Sequence, residues 1–212
     1  MKNKLIFILL IYFLIINHSY SESIKFEAEK IEILKNQDTI IVSNGKAVSL
    51  SRGLELYADS FKYLKKNKLL IIEGNGQALI NGNRVKINFD NAIYDENLNL
   101  IKLKNEIEVI HLNKNFSINS SSIIYNINDE TIKSNFDTTI KDNFLNNYSV
   151  SSFLYEIKNN LIKLKNLKLI DITQNIIQTE LAFINTNTGN LFGKDINIRL
   201  HKSTQNDNEP RI

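Results

Sequence analysis

The 212-residue chain has no cysteine, no tryptophan, a single proline and only three histidines. Without cysteine there is no disulfide, no thiolate-bound metal, no iron–sulfur cluster and no thiol nucleophile. The histidines, His18, His111 and His201, are too few and too far apart in sequence to supply a histidine-ligated metal site or a Ser-His-Asp triad. His111 and His201 read as surface positions. Charge of one sign is also scarce, with 26 Lys and Arg against 23 Asp and Glu, a net of +3. Hydrophobic residues at 42% and charged residues at 23% are ordinary for a globular protein, so collagen-like and fully disordered classes drop out. The length suits one domain or two small ones.

What is present begins with a targeting signal. Lys2 and Lys4 precede an unbroken apolar run from Leu5 to Ile16, followed by the polar stretch Asn17 to Ser21. A run of that length is too short for a membrane-spanning helix, which needs about 20 residues. The basic start, apolar centre and small residues Ser19 and Ser21 make residues 1–21 a secretory signal peptide cut before Glu22. Its removal leaves 24 basic against 23 acidic residues, a net of +1. An almost neutral mature chain lacks the electrostatic footprint of a nucleic-acid binder.

The mature chain is repetitive. Ile33, Tyr63, Tyr94, Tyr125, Tyr155 and Ile184 recur at spacings of 29 to 31 residues. Two positions before each stands an apolar residue, Ile31, Phe61, Ala92, Ile123, Phe153 or Ala182. Four positions before each stands an acid or a serine, Glu29, Asp59, Asp90, Ser121, Ser151 or Glu180. Inside a unit the apolar residues alternate with period two, as in Leu54, Leu56, Ala58, which argues for strands. At the acid or serine the apolar set changes parity and resumes as Phe61, Tyr63. A one-residue slip turns every later side chain to the opposite face, so a β-bulge or bend is expected near each of these six positions to keep both halves on one core. Polar turns such as Lys65 to Lys68 and Asn187-Thr188-Gly189 separate the strands. Two strands per unit give about a dozen, in one all-β array spanning residues 22–200, with a polar tail at 201–212.

Reactive groups are thin. The pairs Gly45-Lys46 and Gly193-Lys194 lack the rest of a phosphate loop, and Gly74-Asn75-Gly76 reads as a turn or bulge. One carboxylate per unit at fixed register is a structural pattern, since a catalytic pair has no reason to recur. No catalytic residue, metal ligand or cofactor site is expected. Two functions suit an elongated apolar β array: its end strands can add strands from a partner, and an unclosed seam can admit acyl chains. The simpler reading, that the same side chains fill a sandwich core, is the one that pattern alone favours.

Two segments carry a resemblance. Leu56-Tyr57-Ala58-Asp59-Ser60-Phe61-Lys62-Tyr63 and Ile72-Glu73-Gly74-Asn75-Gly76-Gln77-Ala78 resemble the recurring units of the OstA-like β-jellyroll family. LptA, LptC and the periplasmic part of LptD, all lipopolysaccharide transport proteins, share that fold. Phe26-x-Ala28 with Asn44-Gly45-x-Ala47 is similar to the preceding copy, and Phe89-Asp90 with Tyr94-Asp95 to the next. The tail from Phe192 to Ile212 is similar to the junction at which LptD passes from jellyroll to outer-membrane barrel. The chain departs from LptD in having no barrel-length sequence after Ile212 and none of the cysteines that tie jellyroll to barrel.

The resemblance implies an antiparallel β-jellyroll and a non-enzymatic, periplasmic lipopolysaccharide conduit associated with the outer membrane. Acyl chains would ride against Ile31, Ile33, Phe61, Tyr63, Tyr94, Ile123, Tyr125, Phe153 and Tyr155. The edge at Ile24, Phe26 and Ala28 would pair with another jellyroll by strand addition. Implied partners are lipopolysaccharide, LptA-like jellyrolls and, for an LptD-like chain, a barrel and its lipoprotein; nucleic acid is not among them. Two assignments stay open: the N-terminal domain of LptD, on a truncated or split reading frame, or a stand-alone LptA-like bridge. A structural or adhesive secreted β-solenoid is the alternative outside the family.

Overall fold

The computed structural model describes residues 24–34, 38–80, 84–114, 116–142 and 146–202. The segment read as a signal peptide and residues 203–212 of the tail lie outside the described residues. Period-two alternation rich in isoleucine, with no proline before position 210, gives strands throughout. They are β1 (Lys25–Ile33), β2 (Thr39–Ser49), β3 (Leu54–Leu64), β4 (Leu69–Ile80), β5 (Val85–Asp95), β6 (Leu100–His111) and β7 (Phe116–Asn126). There follow β8 (Thr131–Ser134), β9 (Thr138–Lys141), β10 (Asn147–Val150), β11 (Ser152–Glu156), β12 (Leu161–Ile170), β13 (Ile176–Asn185), β14 (Leu191–Lys194) and β15 (Asn197–Arg199). Leu161 to Ile170, where a helix was the competing reading, is strand β12.

All fifteen strands join one antiparallel sheet. β8 and β9 pair with the two halves of β7, β11 and β10 with the two halves of β12, and β14 and β15 with the two halves of β13. Each of these couples is one long row cut by a bend, so fifteen strands less three cuts give twelve rows in a meander. That agrees with the dozen expected from two strands per repeat.

The repeat maps onto one cross-strand ladder. Ile33, Ile40, Tyr63, Leu70, Tyr94, Ile101, Tyr125, Ile132, Tyr155, Ile162, Ile184 and Leu191 are successive rungs. The 31-residue period is therefore one trip up one row and down the next. A second ladder, from Phe26 through Leu56, Ile87 and Ile118 to Ile198, crosses the other half of every row. Between the two ladders β3 changes parity, with Leu54, Leu56 and Ala58 buried, Asp59 exposed and Phe61 buried again, whereas β4 and β6 keep one parity throughout and take up one more residue at the same level.

The sheet bends at that level as expected, with the pairing shifting around Asp59 and Asp90, and the left-handed backbone falls on the facing strand. Pairing shifts by one between Tyr57 and Ser60, Glu73 and Gly76, Asn88 and Asn91, and Lys104 and Ile107. Left-handed backbone at this level is found at Asn44, Gly74, Asn75, Asn105, Glu106, Asn166 and Asp195. The first six lie in β2, β4, β6 and β12, opposite Glu29, Asp59, Asp90 and Ser151, and Asp195 lies at the cut between β14 and β15, level with Glu180; none of these five facing residues is left-handed. The reason is steric: asparagine and glycine tolerate φ near +50°, whereas most residues with a Cβ do not. The acid or serine answers the asparagine instead. Asn44 donates to Glu29 at 3.0 Å, Asn75 to Asp59 at 2.8 Å and Asn166 to Ser151 at 2.9 Å.

The bends double the sheet over into two facing leaves. Phe26 in the first leaf of β1 meets Phe61 at 6.2 Å and Tyr63 at 5.9 Å, both in the second leaf of β3. Phe116 of β7 likewise meets Tyr155 of β11 at 5.5 Å, and again the second ring lies two rows further along. Sheet twist thus offsets the leaves. Between them runs one continuous apolar core from Ile24 to Ile184.

Candidate functional site

The interior between the leaves is the candidate site. Of the residues singled out for lipid contact, Phe61, Tyr94, Ile123, Tyr125, Phe153 and Tyr155 are buried there and Tyr63 is half-buried. Ile31 and Ile33 are not inside: they are 47% and 60% exposed. The two-row offset explains this, because no first-leaf row stands in front of the second leaf of β1. At the opposite end the first leaf of β15 has no second-leaf row in front of it, and Ile196, Ile198 and Leu200 are exposed in turn. Both ends of the trough therefore present apolar surface, rooted at one end in β1, the terminal strand of the sheet order. Just before β1 Ile24 is buried, while Phe26 and Ala28 of β1 are half-buried against the core.

Burial keeps the tyrosine hydroxyls neutral well into the alkaline range. Desolvation pushes Tyr94 and Tyr155 up to about 12, and raises Tyr125 and Tyr148 further still. The rings thus act as apolar rungs with a neutral polar tip.

Opposite the crease the margins of the leaves form a seam lined by turns. On the second-leaf margin successive turns are tied by backbone bonds, Glu96 N to Lys68 O, Ile127 N to Asn99 O, Ile157 N to Glu130 O and Thr186 N to Asn160 O. Each four-residue turn ends in a left-handed residue, Lys68, Asn99, Glu130 or Asn160, the geometry that returns one strand tightly onto the next. Polar side chains then cross the seam. Arg52 donates to Asn128 at 3.1 Å, and Lys114 donates to Asn160 and, at 2.9 Å, to Thr186.

Beside Lys114 the seam opens into a cavity of about 610 Å³ lined by Arg84, His111, Lys114, Asp142 and Tyr148 over a floor that includes Phe116, Ile140, Ile162 and Ile184. His111 was read as a surface residue, but only 4% of it is exposed. It continues the parity of Ile107 and Val109 on β6, a signal present in the sequence and outweighed there by the residue's polarity. Arg84 and Lys114 carried no sequence signal, since only the offset of the leaves brings their turns toward Asn160 and Thr186. Among the described residues no group of three or more His, Asp or Glu is arranged to hold a metal.

The fold and site together define a class: an all-β protein built from one antiparallel sheet creased into an apolar trough with open ends. The chain is similar in structure to LptH, the LptA-homologous periplasmic component of the lipopolysaccharide transport device of Pseudomonas aeruginosa. The match has a TM-score of 0.24 and 9% sequence identity, and covers 84% of this chain and 94% of that one. No family model matches the chain. No curated protein matches it.

Proposed function

We propose that the chain is a periplasmic lipopolysaccharide conduit of the OstA-like jellyroll class, carrying acyl chains against the trough and joining neighbouring jellyrolls through its end rows. The observation that carries this reading is the ladder from Ile33 to Leu191, an apolar track that runs the length of the sheet and emerges uncovered at Ile33, while the second ladder emerges uncovered at Ile198 at the other end. Each methylene laid on such a track gains about 0.8 kcal/mol over water. Because Phe61, Tyr94 and Phe153 fill the closed interior, acyl chains first meet Ile31, Ile33, Ile40 and Tyr63 at the open end, and advance by parting the leaves at the seam. The same uncovered rows suit strand addition by an LptA-like jellyroll, with β1 offering the unpaired edge.

Within that class, the segment from Phe192 onward supports the N-terminal domain of LptD, next to a barrel and its lipoprotein partner. The stand-alone bridge uses the same two ends. Purification without detergent from cells that make lipopolysaccharide, followed by mass spectrometry of the extracted lipid, tests the conduit. Near-stoichiometric lipopolysaccharide, reduced in an Ile33→Asp variant, is the expected result. Protein that emerges lipid-free and takes up none on incubation overturns it.

A further inference from the structure

The seam cavity carries a feature that an acyl track does not need. Its lining holds two permanent cations, Arg84 before β5 and Lys114 after β6, against one carboxylate, Asp142. That carboxylate is already satisfied, accepting hydrogen bonds from the Asn146 amide and side chain and from the Tyr148 hydroxyl at 2.7 Å. Lys114 spends two of its three protons on Asn160 and Thr186, which leaves one donor. His111, 4% exposed, forms part of the same wall, and its Nδ1 has no hydrogen-bond partner among the described residues. A buried polar atom without a partner is uncommon and unfavourable, and any charge that the ring takes up there depends on the groups around the cavity.

The electrostatics agree. Burial, and then the nearby Lys114 and Arg84 charges, push His111 below its ordinary value, and burial followed by Arg84 does the same to Lys114. The Arg84 and Lys114 charges thus disfavour a charge on His111, and Arg84 disfavours that of Lys114, and an oxyanion placed among the three side chains would offset this charge repulsion. The opposite wall is apolar, with Phe116 and Ile162 beneath, so the cavity joins a cationic mouth to the interior of the trough.

We infer that the cavity between the β6–β7 turn and the turns at Asn160 and Thr186 is a phosphate site, held by Arg84 and Lys114 beside His111. The phosphate is either the free ion or the headgroup of an amphiphile whose chain enters the seam; the second source rests on the conduit reading, the first does not. A phosphate here competes with Asn160 and Thr186 for Lys114, so occupancy loosens the tie across the seam.

The test is a titration of the full chain with inorganic phosphate, and separately with dodecyl phosphate below its micelle concentration, with dodecyl maltoside as the uncharged comparator. The readout is the imidazole NMR signals of His111, with exposed His201 as internal reference. The expected result is a saturable shift of the His111 signals and a raised His111 pKa, both at least tenfold weaker in Lys114→Gln and Arg84→Gln. Dodecyl phosphate binding tenfold tighter than phosphate assigns the headgroup; equal affinity assigns the free ion. No saturable shift of wild-type His111 with either phosphate overturns the site, as does undiminished binding by both folded variants. Should the variants not fold, the wild-type titration alone decides. Lipopolysaccharide that still co-purifies with a chain blind to phosphate sinks this site and leaves the conduit standing.

Discussion

Replacing Gly76 by alanine probes how tightly the crease is closed. Gly76 pairs with Phe89 across β4 and β5, and a Cβ built on it would lie 2.1 Å from Cε2, 2.4 Å from Cδ2 and 2.7 Å from Cζ of that ring. Carbon atoms in contact sit about 3.5 to 4.0 Å apart, so the ring must retreat by about 1.5 Å. Phe89 is buried in the core, and its neighbours give little room. Overpacking of this kind costs about 1 to 3 kcal/mol, offset by about 0.4 to 1 kcal/mol from the stiffer unfolded chain. A net loss of about 1 to 2 kcal/mol follows, with about 3 to 5 kcal/mol as the ceiling should Phe89 be expelled. Urea unfolding followed by far-ultraviolet circular dichroism measures it as a lower midpoint with unchanged slope. The double variant with Phe89→Leu should recover much of the loss, because the two residues share one contact. Gly76→Ala as stable as the wild type, or strictly additive with Phe89→Leu, refutes the close approach at the crease.

Three further outcomes are expected. Asn75→Gly should be nearly neutral in backbone terms while Asn75→Ala loses about 1 to 2 kcal/mol for its left-handed φ, and a cycle with Asp59→Ala should show coupling of about 0.5 to 1 kcal/mol in urea melts. Alkali should unfold the protein through its tyrosines. Their folded values lie above the unfolded value of about 10, so their contribution is complete below pH 10 and is lost as pH rises through about 12 for Tyr94 and Tyr155. A midpoint in a pH melt that does not move when Tyr94 and Tyr155 become phenylalanine contradicts this. Ile31→Asp, at an exposed rung, should change monomer stability by no more than about 0.5 kcal/mol yet abolish co-purification of a neighbouring jellyroll. Retained co-purification removes β1 from the docking edge.

The sequence carried the ladder almost rung for rung, because alternation and a 31-residue period are one-dimensional traces of a meander. The tyrosines at 63, 94, 125 and 155 fall on one ladder for that reason. The parity change at Asp59 and its counterparts located the crease as well. What stayed hidden depends on distance across the fold. The bend is absorbed by Asn75 and its equivalents because backbone tolerance, not the acid, decides which side of a pair takes the left-handed residue. The exposure of Ile31 and Ile33, the burial of His111 and the meeting of Lys114 with Asn160 and Thr186 all follow from the two-row offset of the leaves. Strand twist sets that offset, and no local pattern encodes it.

Site-specific photo-crosslinking in cells that make lipopolysaccharide tests the conduit most directly. A photoreactive residue at Tyr63, at the open end of the track, and at Phe153, deep between the leaves, should each trap lipopolysaccharide, while one at exposed Lys66 in the β3–β4 turn should trap little. Equal labelling at all three positions would contradict the trough as the path of the lipid.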